Sequence, residues 1–192
     1  KKHANIRLEG EIVVTNEGPE YILKMCALGD GAVGKTSCIM RFTEDSFGEK
    51  YKATIGTNIA VKNIEVEMSK GEIVKAQIVL WDLAGQPSYK ELRQRYMVGS
   101  SMAFIVYDVT RPSTFMNVYE WYRNFRAVCP KSVIVLVANK VDMKERLVPE
   151  VAGLMLSNWL ELKYIETSAK TGKNINALFI ECARETILRE YD

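Results

Sequence analysis

The sequence predicts an α/β fold: a mostly parallel six-stranded sheet with one antiparallel edge strand and helices on both faces. Three observations lead there. From residue 20 onward, apolar strand-like runs alternate with helix-patterned stretches, the signature of a parallel sheet covered by crossover helices. Two of the runs, "TNIAVKNIEVEM" and "VKAQIVLW", are separated only by "SKGE", a glycine-containing hairpin turn that makes one pair antiparallel. A third run, "SVIVLVANK", is apolar enough to be buried on both faces.

The elements follow in order. "YILKMCAL" opens as a strand, and a glycine-rich loop then leads into a helix over Lys35 to Phe42. The hairpin comes next, then the strand "SMAFIVYDV". Pro112 opens a helix in which Phe115, Val118, Tyr122 and Phe125 recur at helical spacing, and Pro130 closes it. After "SVIVLVANK", Val151, Leu154 and Met155 suggest a helix that Gly153 weakens. "KYIETS" is a short strand. The last helix begins near Asn174 and carries Ile175, Leu178, Phe179 and Cys182 on one face. Residues 1–19 precede this pattern and read as an N-terminal extension, with "EIVVTN" either an extra strand or part of an arm; residues 20–192 read as one domain.

Composition narrows the function classes. The 192 residues are 47% hydrophobic and 26% charged, enough for an ordinary core. With 26 basic and 24 acidic residues the net charge is +2, so no global field draws the chain to nucleic acid or to a membrane. No apolar run reaches the ~18 residues of a membrane span, and "KKHANIRLEGE" lacks a signal-peptide core. The only histidine, His3, lies in the polar N-terminal stretch, which excludes Ser-His-Asp chemistry and histidine-rich metal sites. Cys26, Cys38, Cys129 and Cys182 have no CxxC spacing and are expected to be buried free thiols.

Chemistry concentrates in three motifs. The first is "GDGAVGKTS", between the first strand and the first helix. Gly29, Gly31 and Gly34 let the backbone turn tightly and approach a ligand, and the helix N-terminus points free N–H groups at it. Lys35 reaches β- and γ-phosphate oxygens and Thr36 offers a hydroxyl to magnesium. The whole loop, with Asp30, Ala32, Val33 and Ser37, is a candidate phosphate cradle. The alternative is a plain glycine turn with an exposed lysine.

The second motif, "NKVD", follows a buried strand. Guanine presents two adjacent donors, N1–H and the N2 amino group, and one carboxylate, that of Asp142, accepts both. Adenine would leave that carboxylate unmatched, at about 1–3 kcal/mol or more. Lys140 lays its stem over the purine face; Asn139 begins the motif. "ETSAK", Glu166 to Lys170, closes on the base from the other side, bringing Ser168, Ala169 and Lys170. The third motif is "WDLAGQ". Asp82 ends a strand and is placed to hold magnesium, Gly85 offers an N–H to a γ-phosphate and Gln86 orients a water. A helix N-cap is the structural alternative for Asp82.

With "GDGAVGKT", "YKATIG", "WDLAGQ", "NKVD" and "TSAK" in order, residues 21–191 resemble a small GTPase of the Ras superfamily, nearest the Rab branch. The resemblance implies a P-loop NTPase G domain that binds GTP and GDP with Mg2+. It implies that Thr54 ligates the metal together with Thr36 and Asp82, that Phe47 stacks edge-on against guanine, that Tyr51 joins the nucleotide shell and that Ala169 donates a backbone N–H to the base. Gln86 and Lys35 are the implied catalytic pair. Partners implied are an exchange factor, a GTPase-activating protein and effectors, reached through residues 48–57 and 83–97.

The chain departs from the family in places. Pro87 follows Gln86 where Glu is usual, Ile59 replaces a common Phe, and "YMVGS" stands where "YYRGS" is common. It ends "ILREYD" with no cysteine, so peripheral membrane association is expected only through a lipidated tail missing from this sequence. A GTP-binding interaction module with little turnover is the second reading. A nucleoside kinase is the third, disfavoured because no Arg-rich lid follows the core.

Overall fold

The computed structural model describes residues 18–48, 54, 56–85 and 90–191. Six strands form one sheet: β1 (Tyr21–Leu28), β2 (Thr57–Glu67), β3 (Ile73–Leu83), β4 (Met102–Asp108), β5 (Val133–Asn139) and β6 (Lys163–Thr167). Their order is β2-β3-β1-β4-β5-β6, with β2 antiparallel to β3 and the other pairings parallel. The helices are α1 (Lys35–Glu44), α2 (Lys90–Met97), α3 (Pro112–Met116), α4 (Val118–Val128), α5 (Glu150–Trp159) and α6 (Ile175–Tyr191). The expected sheet, with its single antiparallel edge, is what forms.

Burial explains the strands. Every residue of β4 and β5 is buried, as expected of central strands covered on both sides. The β2–β3 hairpin pairs eleven residues on each side, and its turn passes through Gly71 at φ 77°. One core layer lies under α1 and α6, where Phe42 stacks on Phe179 at 4.1 Å. The other lies under α2, α4 and α5, around Tyr107, Trp121 and Phe125. Ile175, Leu178, Phe179 and Cys182 all face the first layer, as their spacing requires.

Two helices differ from expectation. The helix opened by Pro112 divides into α3 and α4 at Asn117, whose side chain leaves the helix face to bond elsewhere. α5 forms where expected, but Val151, Leu154 and Met155 are exposed, while Gly153 and Ser157 face inward. The reason is space. A Cβ on Gly153 would lie 2.5 Å from both the Tyr107 hydroxyl and the Tyr164 ring, so glycine marks close approach to the sheet rather than weakness. "EIVVTN" lies outside the described residues.

The chain runs from β1 to one side of the sheet and crosses to β4 on the other. At the carboxyl ends of β1 and β4 that reversal opens a crevice, the place where open α/β sheets bind ligands.

Candidate functional site

The loop after β1 is shaped by two left-handed glycines, Gly29 at φ 133° and Gly34 at φ 103°. Side chains are barred from both: a Cβ would meet the Val106 carbonyl at 2.3 Å and the Asn139 amide at 2.2 Å. α1 starts at Lys35 with no side-chain cap, which leaves its first N–H groups facing the crevice.

A cavity of about 810 Å³ lies over this loop. Gly31, Ala32, Gly34, Lys35, Thr36 and Ser37 floor it; Phe47, Thr54, Gly85, Asn139, Lys140, Asp142, Ala169 and Lys170 wall it, with Met40 and Met143. Motifs spread over the chain thus meet in one space. Gln86 and Tyr51 lie outside the described residues, as does Pro87.

Lys35 is only 6% exposed, and its Nζ donates to the Gly29 and Asp30 carbonyls at 2.7 and 2.8 Å. Burial lowers its pKa to about 8 against the pull of Asp82 and Asp30. Among the described residues no carboxylate forms an ion pair with this ammonium, and a phosphate would supply that anion. Beside it, the Thr36 hydroxyl donates to Asp82 Oδ2 at 2.5 Å and lies 2.9 Å from the Thr54 hydroxyl. Burial raises the Asp82 pKa, with bonds from Thr36 and the charge of Lys35 opposing it. Its other oxygen, Oδ1, is buried and has no hydrogen-bond partner among the described residues. One orphaned carboxylate oxygen beside two hydroxyls and a phosphate loop fits a hard, oxygen-seeking divalent cation such as Mg2+. Phosphate oxygens and waters would complete its coordination.

The other end is organised by Asn139, which joins three segments. Its amide donates to the Val33 carbonyl at 2.9 Å; its oxygen accepts from the Thr167 hydroxyl and the Ala169 N–H at 3.1 and 3.3 Å. Ala169 N–H therefore points at Asn139 in this structure. Lys140, at φ 69°, bonds the Ala32 carbonyl at 2.8 Å and pairs with Asp108 at 2.6 Å. Asp142 is exposed to the cavity, and the buried Ser168 donates to its Oδ1 at 2.6 Å. That bond engages one carboxylate oxygen of a residue that lines the cavity. Phe47 is half-buried against the core beside Arg41.

Several supports of the site were not foreseen from the sequence. Asp108 ends β4, and it gathers Lys140, Arg111 and Thr110. Burial opposes its ionisation, but the bonds from Lys140 and Thr110 prevail and hold the carboxyl below its usual range. Arg111 also donates to the Gly31 carbonyl at 2.8 Å. Only the Asp at the end of a buried strand, in "VYDVTR", signals this cluster. Arg146, which braces the base end by pairing with Glu166 at the start of "ETSAK", carries no local signal at all.

A glycine loop ending in a buried lysine, a strand-end aspartate aimed at the following hydroxyl, and a carboxylate at the far end define a P-loop nucleotide-binding domain. Comparison with known proteins agrees. The Ras family model matches residues 24–188. "Ras-related protein Rab-22A" from Mus musculus is 40% identical over 164 residues, covering 84% of this chain and 82% of its own. "Ras-related protein RABE1e" from Arabidopsis thaliana is 36% identical over 169 residues, 86% of this chain and 75% of its own. "Ras-related protein Rab2BV" from Beta vulgaris is 39% identical over 173 residues, 89% and 76%. The chain belongs to the Ras family of small GTPases, nearest the Rab branch.

Proposed function

We propose that this protein is a GTP-operated switch that hydrolyses GTP slowly and signals its state through residues 48–57 and 83–97, in membrane trafficking or related regulation. The observation that carries this is the pairing, in one cavity, of a phosphate end lined by Lys35, Thr36 and Thr54 and backed by Asp82 with a base end lined by Asn139 and Asp142 and backed by Ser168. In this reading residues 20–192 are the G domain and residues 1–19 an extension.

Each residue has a role. Lys35 neutralises the β- and γ-phosphates. Thr36, Thr54 and Asp82 hold Mg2+, which adds charge stabilisation when bound. Gly85 offers its N–H to the γ-phosphate, and Gln86 orients the attacking water. Family patterns place a cis arginine, where there is one, at the position of Tyr51. Intrinsic turnover is therefore on the order of 10⁻⁴ to 10⁻³ per second, and a GTPase-activating protein supplies the missing positive charge. An exchange factor reloads GTP. Effectors read the two loops and the adjoining face of β2 and β3, where Ile59 and Val61 are exposed and Trp81 packs on Tyr96 at 5.4 Å. No helix among the described residues is long and apolar enough to cross a membrane. In this reading, association with a membrane is peripheral.

The test has two arms. GDP and GTP with Mg2+ should raise the melting temperature and ATP should not; equal stabilisation by ATP would overturn the guanine assignment. Single-turnover hydrolysis of bound GTP then separates a switch from a GTP-binding module with little turnover, a reading that Pro87 beside Gln86 favours.

A further inference from the structure

Asp30 carries a negative charge in a loop built to hold phosphate, and the structure shows what that charge does. The carboxylate turns away from the cavity. Its Oδ1 accepts from the Trp121 indole N–H at 2.8 Å and its Oδ2 from the Asn117 amide at 2.8 Å, both at the start of α4. The Arg93 guanidinium of α2 lies 4.6 Å from the Trp121 ring centroid, and its Nη1 donates to the Ala84 carbonyl at 3.0 Å. The next residue, Gly85, rests on the phosphate loop itself: a Cβ there would lie 2.4 Å from the Asp30 carbonyl carbon and 2.6 Å from the Gly29 oxygen.

These contacts close a ring. Gly85 abuts Asp30, Asp30 binds Trp121, Trp121 carries Arg93, Arg93 holds Ala84, and Ala84 is bonded to Gly85. The Asp30 carbonyl also receives Lys35. Trp121 and Arg93 are both buried, so the ring is shielded from competing water. None of the side chains of Trp121, Arg93 and Asn117 lines the nucleotide cavity.

We propose that Trp121 and Arg93 are positioning residues for GTP hydrolysis: they set the separation between the phosphate loop and Gly85, the residue that offers its N–H to the γ-phosphate. This rests on the GTPase reading above. The pair acts on the γ-phosphate end: the base end meets the phosphate loop further along, at Ala32 and Val33, and among the described residues makes none of the contacts that close the ring. GDP, which has no γ-phosphate, is indifferent to it.

The experiment uses the full chain loaded with nucleotide, as wild type, Trp121→Phe, Arg93→Lys and the double variant. Phe keeps a ring for Arg93 but has no N–H for Asp30; Lys keeps charge but loses the planar fork. Melting of the GDP forms verifies folding. Each single variant should hydrolyse bound GTP about tenfold more slowly, with affinity for a GTP analogue falling relative to GDP. The double variant should be no slower than the worse single one, because both cut the same ring. Unchanged hydrolysis in folded variants, equal losses of GDP and GTP-analogue affinity, or additive effects would overturn the inference while leaving the GTPase reading intact. A wild-type chain that neither binds guanine nucleotides nor hydrolyses GTP would overturn both.

Discussion

Arg146, in the segment between β5 and α5, donates to Glu166 of β6 at 2.5 Å. Tyr164 donates to the same Glu166 oxygen at 3.1 Å and meets Tyr107 at 3.3 Å, so the base end of the site is braced from the core outward. Burial works against charge on Glu166, but the bonds from Arg146 and Tyr164 prevail and hold its carboxyl below 4.5.

Cutting that brace should loosen nucleotide. The pair is partly exposed, so Arg146→Ala should cost about 1 kcal/mol and speed GDP release about fivefold. The sign of the pH effect is fixed by the lowered carboxyl: its stabilisation is present above the unfolded value near 4.5 and is lost as pH falls through the folded value. The melting gap between wild type and Glu166→Gln should therefore be open at neutral pH and close as the pH falls through the lowered range of the folded carboxyl. A gap that widens on acidification would refute the pairing.

Gly153→Ala should destabilise. Alanine favours a helix over glycine by about 1 kcal/mol, but the new Cβ would crowd Tyr107 and Tyr164 at 2.5 Å. Overpacking of that kind costs about 1–3 kcal/mol, so the net cost reaches about 2 kcal/mol and the melting temperature falls by up to roughly 8 °C. A higher melting temperature would show that α5 has room to move.

Asp142→Asn should lower GDP affinity about a hundredfold or more and move preference toward xanthine nucleotides, whose O2 accepts where guanine donates. Competition binding with GDP and XDP measures it. Retention of full GDP preference would mean that Asp142 does not face the base.

Thiol chemistry should report folding. Cys26, Cys38, Cys129 and Cys182 are all free and buried. Burial pushes Cys26 up to about 11 and Cys38 up to about 12, so neither supplies thiolate at neutral pH. Ellman's reagent should label none of the four in the native protein and all four in denaturant. Rapid native labelling would contradict the packing around β1 and α1.

Strands were legible because their burial is uniform: the unbroken apolar letters of β4 and β5 admit few other arrangements. α5 shows the limit. Its spacing of Val151, Leu154 and Met155 mimics a buried stripe, yet what decides its orientation is a missing side chain at Gly153, and a close approach leaves no periodic trace. Lys35, Thr36, Asp82 and Asn139 stood out since their chemistry is local to short motifs. Trp121 and Arg93 did not, and Asp30 read only as part of the phosphate cradle, because a ring closed by residues from four separate segments has no spacing to detect. Asn117 likewise reads as helix interior until its partner across the fold is known.

The last rung of the β2–β3 hairpin pairs Thr57 with Leu83, and just beyond it Ala84 N–H bonds the Gly56 carbonyl at 3.1 Å. The loops bearing Thr54 and Gly85 therefore leave from the same end of one ladder. A tug on either loop strains the same few rungs, so neither can be released without loosening its neighbour's root. A pull at that one strand end would therefore be felt at the roots of both loops.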